Sequence, residues 1–261
     1  MRADKATSIR VMTWNIHGTF GRNPRFDLMR VVELIRRWDP DIVALQEVDS
    51  RRALADGTNP FEYLASAVGI YGIGAKSLTG ADGDYGQILI SRFPITSHAI
   101  RDISFGEREP RRAIRAVVAT PHGPLIVVAT HLGLSIHERR HQAALLTELA
   151  SGDAPAVVIG DFNDWFWPGS VRAVLTRVLG ERTRFRTFPS AFPLLRLDRI
   201  YCRPRGALLR SFIDRGARGL SDHLPVIADL VLPGAVQGVG DAVPVGRRKA
   251  KTDTEVGNSG C

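Results

Sequence analysis

The sequence predicts one domain of the mixed α/β (α+β) class, built from two packed β-sheets with helices on the outside. Three observations carry this prediction. Short apolar stretches bounded by turn residues recur along the chain, as β-strands do. Helical patterns with one apolar face lie between these stretches rather than at one end of the chain. Hairpin turns, such as Pro-His-Gly-Pro at 121–124, are too common for a simple doubly wound parallel sheet.

The first half of the chain alternates strand and helix patterns. A helix is predicted at 27–38 because Leu28, Val31 and Ile35 share one face with arginines opposite, and Pro40 bars its extension. The predicted elements are strands at 9–16, 42–48, 71–78 and 87–91 and helices at 27–38 and 60–68.

The second half is richer in strands. Ser135 and Glu138 form a capping box, which predicts a helix to about Ala150. The apolar residues from Ala156 onward predict a buried strand that ends at Asp161. The predicted elements are strands at 94–103, 112–120, 125–131, 156–161, 197–203, 208–214 and 226–232 and helices at 135–150 and 169–179.

A single domain is predicted over 9–233, since neither an internal repeat nor a linker interrupts it. We expect residues 1–8 to be a disordered leader. Residues 234–261 mix glycine, valine, proline and charged residues without periodicity, which predicts a disordered tail.

The composition is typical of a globular protein, with 44% hydrophobic and 24% charged residues. No apolar run reaches the length of a membrane span, and the first residues lack the apolar core of a signal peptide. Cys202 and Cys261 are too few for a disulfide framework, so we expect free thiols and a cytoplasmic protein. The oligomeric state is left open.

The net charge of +8 is unevenly distributed. Residues 172–218 contain twelve arginines, no lysine and three acids, so this segment alone carries +9. Arginine favours phosphate groups or an anionic membrane surface, because its guanidinium pairs bidentately with phosphate oxygens. A solvated basic face is an equally good interpretation of the same pattern.

Polar side chains recur at the ends of the predicted strands. Each alone is weak evidence, since a glutamate after a strand is usually solvated and a lone histidine is usually hydrogen-bonded. Repetition of one arrangement, an apolar strand delivering a polar group, indicates a functional site. The residues concerned are Asn15, Glu47, His131, Asp161, Asn163, Asp198, Asp222 and His223.

These residues lie in six motifs that resemble the endonuclease/exonuclease/phosphatase superfamily of magnesium-dependent phosphoesterases. The resemblance spans residue 9 to about 232 and implies a four-layered sandwich of two mixed sheets flanked by helices. Within this superfamily, the sequence is similar above all to poorly characterised bacterial members. The motifs are Thr-Trp-Asn-Ile-His-Gly at 13–18, Leu-Gln-Glu-Val-Asp at 45–49, Thr-His-Leu-Gly at 130–133, Gly-Asp-Phe-Asn-Asp at 160–164, Leu-Asp-Arg-Ile at 197–200 and Ser-Asp-His-Leu-Pro at 221–225.

The resemblance implies a metal site around Glu47, the expected principal ligand of Mg²⁺, with Mn²⁺ as an alternative. Asn15 and Asp222 would lie nearby or reach the ion through water. Magnesium favours oxygen ligands and retains several waters, so one or two carboxylates suffice.

The resemblance also implies catalytic roles. Asp161 would orient or deprotonate the attacking water, with Asn163 hydrogen-bonded to that water or to a phosphate oxygen. His223, oriented by Asp198, would donate a hydrogen bond or a proton to the phosphate. His131 would bind another non-bridging oxygen as negative charge develops.

Four further residues are candidates for substrate binding. His17 stands where apurinic endonucleases carry an aspartate, and together with His131 it resembles the lipid, inositol-phosphate and pancreatic-type nuclease branches. Gln87 replaces an asparagine of many phosphatase members. Arg112 and Arg115 lie on the expected side of the site, with the preceding Arg111 as an alternative, although a pairing with Glu107 or Glu109 is the simpler explanation.

The sequence therefore predicts a magnesium-dependent phosphodiesterase or phosphatase acting on a lipid or small-molecule phosphoester. A nuclease acting on DNA or RNA is the alternative, and a non-catalytic binding module is the least favoured. Aromatic residues among the arginines, including Trp165, Trp167 and Phe192, suit base stacking or contact with an anionic membrane. Packing of the two tryptophans against the next helix explains them as well.

Overall fold

A computed structural model describes residues 7–18, 27–51, 54, 57–165 and 170–233. Most of the predicted leader and the whole predicted tail lie outside the described residues, as does Trp167. Within the described residues, no helix is long and apolar enough to cross a membrane.

Strands dominate the described part of the domain, which also contains four α-helices. Asp27 caps the first helix by accepting hydrogen bonds from the backbone N–H groups of Met29 and Arg30, and Asp39 ends it in a left-handed conformation. The strands are β1 (Ile9–Asn15), β2 (Ile42–Asp49), β3 (Tyr71–Gly80), β4 (Gly83–Ser91), β5 (Ile95–Asp102), β6 (Arg112–Thr120), β7 (Gly123–His131), β8 (Ala156–Asp161), β9 (Glu181–Arg182), β10 (Asp198–Arg203), β11 (Leu208–Ile213) and β12 (Val226–Leu230). The helices are α1 (Leu28–Trp38), α2 (Pro60–Val68), α3 (Ile136–Leu149) and α4 (Ser170–Leu179), with a 3₁₀ turn at Arg215–Gly219.

The strands form two six-stranded mixed sheets. The first sheet has the order β11-β12-β1-β2-β4-β3 and the second β5-β6-β7-β8-β10-β9. Each sheet has one parallel pair at its centre, β1 with β2 and β7 with β8, and α1 or α3 supplies the crossover. The other pairs are antiparallel, which agrees with the many hairpin turns of the sequence.

Three apolar clusters define four layers. One cluster lies between the two sheets, where residues such as Val11, Leu89 and Val127 are fully buried. A second lies between the first sheet and helices α1 and α2, and a third between the second sheet and helices α3 and α4. The predicted class and the four-layered sandwich are confirmed.

The topology brings the polar strand ends together. The central parallel strands of both sheets, β1, β2, β7 and β8, end at the same end of the sandwich. Their antiparallel neighbours β10 and β12 begin there. Asn15 pairs with Gln46 in register, and Asp161 pairs with both His131 and Asp198. Residues far apart in sequence therefore meet at one end of the sandwich.

Two elements are absent from the sequence prediction. Strand β9 has only two residues and occurs because they pair with Tyr201 and Cys202. The 3₁₀ turn after β11 is short, and Asp214 caps it through the backbone N–H of Gly216. Neither element has enough residues to display a periodic pattern.

Candidate active site

A cavity of about 450 Å³ opens where the two sheets bring their strand ends together. Seven of its lining residues are predicted site residues, and most of the others are apolar or aromatic. The lining consists of His17, Glu47, Tyr85, Glu109, Arg111, His131, Leu134, Asp161, Asn163, Trp165, Phe188, Leu195, Leu197, Asp222 and His223.

Asp161 ends β8 at the floor of the cavity because Gly160 lets β8 approach β7 closely. A Cβ atom at Gly160 would lie 1.9 Å from the backbone oxygen of Thr130. The Asp161 carboxylate is buried and accepts hydrogen bonds from Asn15 Nδ2 at 3.1 Å and from the backbone N–H of Asn163 at 3.0 Å. Burial, followed by the charge of Asp198, raises the pKa of Asp161 to about 6.

Glu47 faces the same cavity from the first sheet. The register of β2 shifts between Gln46 and Val48, and Glu47 adopts a φ of 59° there, so a bulge aims its side chain at the cavity. Asn15 Nδ2 donates a hydrogen bond to Glu47 Oε1 at 3.0 Å. Burial alone would raise the pKa of Glu47, but the hydrogen bonds from His17 and Asn15 and the proximity of His131 outweigh it and hold that pKa well below its usual range.

Asn15 therefore bridges the two halves of the site. Its amide nitrogen donates to both carboxylates, while its amide oxygen accepts a hydrogen bond from the backbone N–H of His17 at 3.0 Å. A direct bond from Asn15 to a metal would need the second lone pair of that oxygen.

His17 lies between two carboxylates at the mouth of the cavity. Its Nδ1 atom is 3.4 Å from Glu47 Oε2 and 3.5 Å from Asp222 Oδ1. The hydrogen bond with Glu47, and to a lesser degree the charge of Asp222, raise the pKa of His17 despite its partial burial. The predicted ligands Glu47, Asn15 and Asp222 thus surround a position that favours positive charge.

His223 is held by Asp198 across the two sheets. Its Nδ1 atom lies 2.8 Å from Asp198 Oδ2, and its Nε2 atom points into the cavity, 3.8 Å from Asp161 Oδ2. Burial would lower the pKa of His223, but the charges of Asp198 and Asp161 outweigh it and raise that pKa to about 10. The ring also packs on Phe188, with the ring centroids 4.9 Å apart.

His131 is held in one tautomer by an arginine. Arg111 Nη1 lies 3.0 Å from His131 Nδ1, and because a guanidinium has only donors, Nδ1 must accept. The proton therefore resides on Nε2, which lies 3.6 Å from Asp161 Oδ2. Burial and then the charge of Arg111 lower the pKa of His131 well below its usual range.

Asn163 lies beside Asp161 with its backbone in the left-handed region, at a φ of 49° that asparagine tolerates. Its Nδ2 donates to the backbone oxygen of Leu132 at 2.9 Å. This bond ties the loop after β8 to the end of β7 and orients the side chain at the cavity wall.

Three predicted substrate-binding residues do not line the cavity. Gln87 is buried between the sheets, where its amide nitrogen donates to the backbone oxygen of Arg112. Arg112 pairs with Asp102 of the neighbouring strand. Arg115 donates to the backbone oxygen of Leu149 at the end of α3, 2.9 Å away. These contacts do not favour a direct role of any of the three in substrate binding, whereas His17 does line the cavity.

Of the three neighbouring arginines Arg111, Arg112 and Arg115, Arg111 is the one that lines the cavity. It precedes β6, is buried, and also donates to Glu109 Oε2 at 3.0 Å. The sequence alone does not distinguish it from Arg112 and Arg115, because only the geometry of the strand separates the three. Trp165 also lines the cavity, and the guanidinium of Arg139 in α3 lies 4.8 Å from its ring centroid.

Two groups of side chains could hold a divalent cation. The carboxylates of Glu47 and Asp222 offer oxygen ligands at the mouth. A second group, Asp161, Asp198 and His223, is fully buried, and its ligand atoms lie within 4.8 Å of one another. Magnesium prefers oxygen ligands and water, and His223 Nδ1 already faces Asp198, so the first group fits magnesium better.

The two-sheet sandwich and the carboxylates and histidines at its end are features of a known class of proteins. Residues 12–223 match the endonuclease/exonuclease/phosphatase family, and the chain belongs to that family. Its members are hydrolases that act on phosphoesters, and they generally use divalent metal ions.

Known proteins resemble the chain along most of its length. The protein YbhP of Escherichia coli is 35% identical over 248 residues, which cover 86% of this chain and 97% of YbhP. The structure of an endonuclease/exonuclease/phosphatase from Beutenbergia cavernae has a TM-score of 0.67 at 22% identity, covering 87% of this chain and 72% of that one. A mannosyl-6-phosphatase from Bacteroides thetaiotaomicron has a TM-score of 0.65 at 21% identity, covering 86% of this chain and all of that one (100%).

Proposed function

We propose that the protein is a magnesium-dependent hydrolase of phosphoester bonds, with a lipid or small-molecule phosphoester as its substrate. The observation that carries the proposal is the bridge made by Asn15, whose amide joins Glu47 and Asp161 within one cavity. A carboxylate suited to a cation and one suited to a proton therefore face the same small volume.

Asp161 is suited to accept a proton from the attacking water. Its pKa of about 6 leaves it ionised at neutral pH, yet basic enough to take up a proton as the water attacks. Asn163, on the same loop, would hold that water or a phosphate oxygen.

The two histidines would act on the phosphate. His223 is positively charged at neutral pH, so its Nε2–H can stabilise or protonate an oxygen of the phosphate. His131 is neutral, and its Nε2–H would donate to a second oxygen as negative charge develops.

Glu47 and Asp222, with Asn15 directly or through water, would hold the metal. A bound Mg²⁺, or Mn²⁺ in its place, supplies Lewis-acid polarisation of the phosphoryl oxygen and stabilises the leaving group.

The cavity wall supports a substrate with an apolar part. Leu134, Trp165, Phe188, Leu195 and Leu197 line it beside the polar floor. A nuclease acting on DNA or RNA is the second candidate, and the concentration of arginines at 172–218 is the observation that favours it.

The test is hydrolysis by the purified full chain. Model phosphodiesters, phospholipids, inositol phosphates, DNA and RNA are offered with Mg²⁺, and again after EDTA. We expect turnover of at least one lipid or small-molecule phosphoester, its loss in EDTA, its return with added Mg²⁺, and its loss in Asp161→Asn. Hydrolysis restricted to nucleic acid would select the second candidate, and activity that survives EDTA would overturn metal dependence. The cytoplasmic location stays a prediction.

A further inference from the structure

Exposed apolar side chains lie on the chain segments that build the cavity wall. We call Leu134, Ile136, Phe192 and Leu194 the apolar rim; Leu134 is 61% exposed, Phe192 72% and Leu194 54%, and Ile136 is exposed as well. Leu134, Phe192 and Leu194 come from two loops that also build the cavity wall, since Leu134 itself, Phe188 and Leu195 line it. Ile136 begins α3 shortly after the first of these loops. The rim therefore continues the apolar wall of the cavity outward to solvent.

The loop between β9 and β10 holds its part of the rim firmly. Phe188 and Leu195 form a β-bridge, and the backbone N–H of Leu194 donates to the oxygen of Phe188 at 2.9 Å. Ser190 anchors the turn to the site itself, because its backbone N–H and its hydroxyl donate to the backbone oxygens of Asp222 and Ser221, each at 2.6 Å. Phe192 and Leu194 are thus presented to solvent by a segment that is fixed to the active site.

The other loop is anchored in the same manner. The buried guanidinium of Arg139 donates to the backbone oxygen of Leu134, and the backbone N–H of Gly133 donates to Gln142 Oε1 at 3.0 Å. Both bonds join the loop to α3. Leu134 is therefore exposed by a structured loop.

The segment that carries Phe192 and Leu194 is basic. Residues 183–197 contain three arginines and no acid or lysine. Arg184, Arg186 and Arg196 are exposed, and none forms an ion pair with an acid in the part of the chain that the structure describes. Apolar side chains next to unpaired arginines fit a surface with anionic headgroups above an acyl layer, where each arginine adds attraction.

The composition of the rim favours a lipid surface over a nucleic acid. Three of its four side chains are aliphatic, and aliphatic side chains insert among acyl chains but do not stack on bases. We propose that the apolar rim and Arg184, Arg186 and Arg196 dock the mouth of the cavity on an anionic phospholipid surface, from which the site takes its phosphoester. The choice of substrate in this inference rests on the proposed function, whereas the docking itself does not.

Sedimentation of the full chain with vesicles tests the docking. We expect the protein to bind vesicles of phosphatidylcholine mixed with phosphatidylglycerol at physiological ionic strength. Its binding to vesicles of phosphatidylcholine alone should be weaker by about tenfold or more. The double variant Phe192→Ser/Leu194→Ser should lower the partition coefficient on the mixed vesicles by about tenfold or more, because two apolar side chains no longer enter the interface.

A matched control has the same exposure elsewhere on the surface. Ile70, 74% exposed, precedes β3, and Leu209, 56% exposed, lies in β11, and neither lines the cavity. Ile70→Ser/Leu209→Ser should bind vesicles like the unchanged protein. A triple variant that replaces Arg184, Arg186 and Arg196 by glutamine should lose the preference for the anionic vesicles.

Hydrolysis of a soluble model phosphodiester with Mg²⁺ separates docking from catalysis. Phe192→Ser/Leu194→Ser should retain this hydrolysis, which also shows that the variant is folded. Equal binding of both vesicle types, or an equal loss in the Ile70/Leu209 control, would overturn the docking while leaving the proposed function intact. The docking would also be overturned if binding of single-stranded DNA depended on Phe192 and Leu194 and binding of vesicles did not. Vesicle binding without any hydrolysis would overturn the proposed function alone.

Discussion

Two carboxylates in one cavity, Glu47 and Asp161, have pKa values displaced in opposite directions. Both accept a hydrogen bond from the amide of Asn15. The pKa of Glu47 falls because His17, Asn15 and His131 outweigh its burial, whereas the pKa of Asp161 rises to about 6 because burial and Asp198 dominate. In the proposed function the two sheets therefore have different tasks: the first presents an anion suited to a cation, and the second a group suited to proton transfer.

Replacing Asp161 by asparagine should have the largest effect. We expect kcat to fall by about 10²- to 10⁴-fold, because the proton acceptor is lost while its shape is kept. In the unchanged protein the rate should rise with pH through about 6, since the unprotonated carboxylate is the active form. The pH profile of kcat/KM measures this dependence. If Asp161→Asn retains the fall in rate at acidic pH, a group other than Asp161 causes that fall.

Replacing Glu47 by glutamine should weaken binding of the metal ion. The Mg²⁺ concentration for half-maximal activity should rise by about 10- to 100-fold, because a principal anionic ligand is lost. Calorimetric titration with Mn²⁺ gives a readout that does not depend on turnover. Asp161→Asn is the matched variant, and equal loss of metal binding in both would remove the distinction between the two carboxylates.

Replacing Asp198 by asparagine should move the alkaline side of the pH profile. Without that charge the pKa of His223 falls from about 10, by roughly 1 to 3 pH units. Because the protonated imidazole is the active form, activity should then decline at lower pH than in the unchanged protein. An unaltered alkaline limb in an Asp198→Asn variant that still folds would show that His223 does not act as a charged donor.

Replacing Arg111 by leucine should have the smallest effect on rate, about tenfold or less. His131 loses the donor that keeps the proton on Nε2, and its pKa rises toward the ordinary value because the charge of Arg111 no longer opposes protonation. Nitrogen-15 NMR of the His131 ring distinguishes the tautomers. Arg112→Leu is the control, since Arg112 pairs with Asp102 outside the cavity, and it should leave the His131 spectrum unchanged.

Much of the fold could be predicted from the sequence because its strands and long helices have clear apolar periods. Polar residues at the strand ends also predicted which side chains meet. The topology brings together Asn15, Glu47, His131, Asp161 and His223. The features that could not be predicted from the sequence depend on local geometry. The bulge that aims Glu47 has no pattern of its own, because it is a shift in pairing with β4.

The arginines illustrate the same limit. Arg111, Arg112 and Arg115 are near neighbours in sequence, yet Arg111 enters the cavity, Arg112 faces β5 and Arg115 reaches α3. The direction of each side chain depends on where β6 begins and how it twists. Prediction of strand boundaries is too coarse to decide this.

The position of a bound cation tests the account most directly. Diffraction from a crystal soaked in Mn²⁺ locates the ion by its anomalous scattering. We expect a peak between the carboxylates of Glu47 and Asp222, next to Asp161 but not enclosed by Asp198 and His223. A peak found only within the buried group of Asp161, Asp198 and His223, or no peak at saturating Mn²⁺, would contradict it.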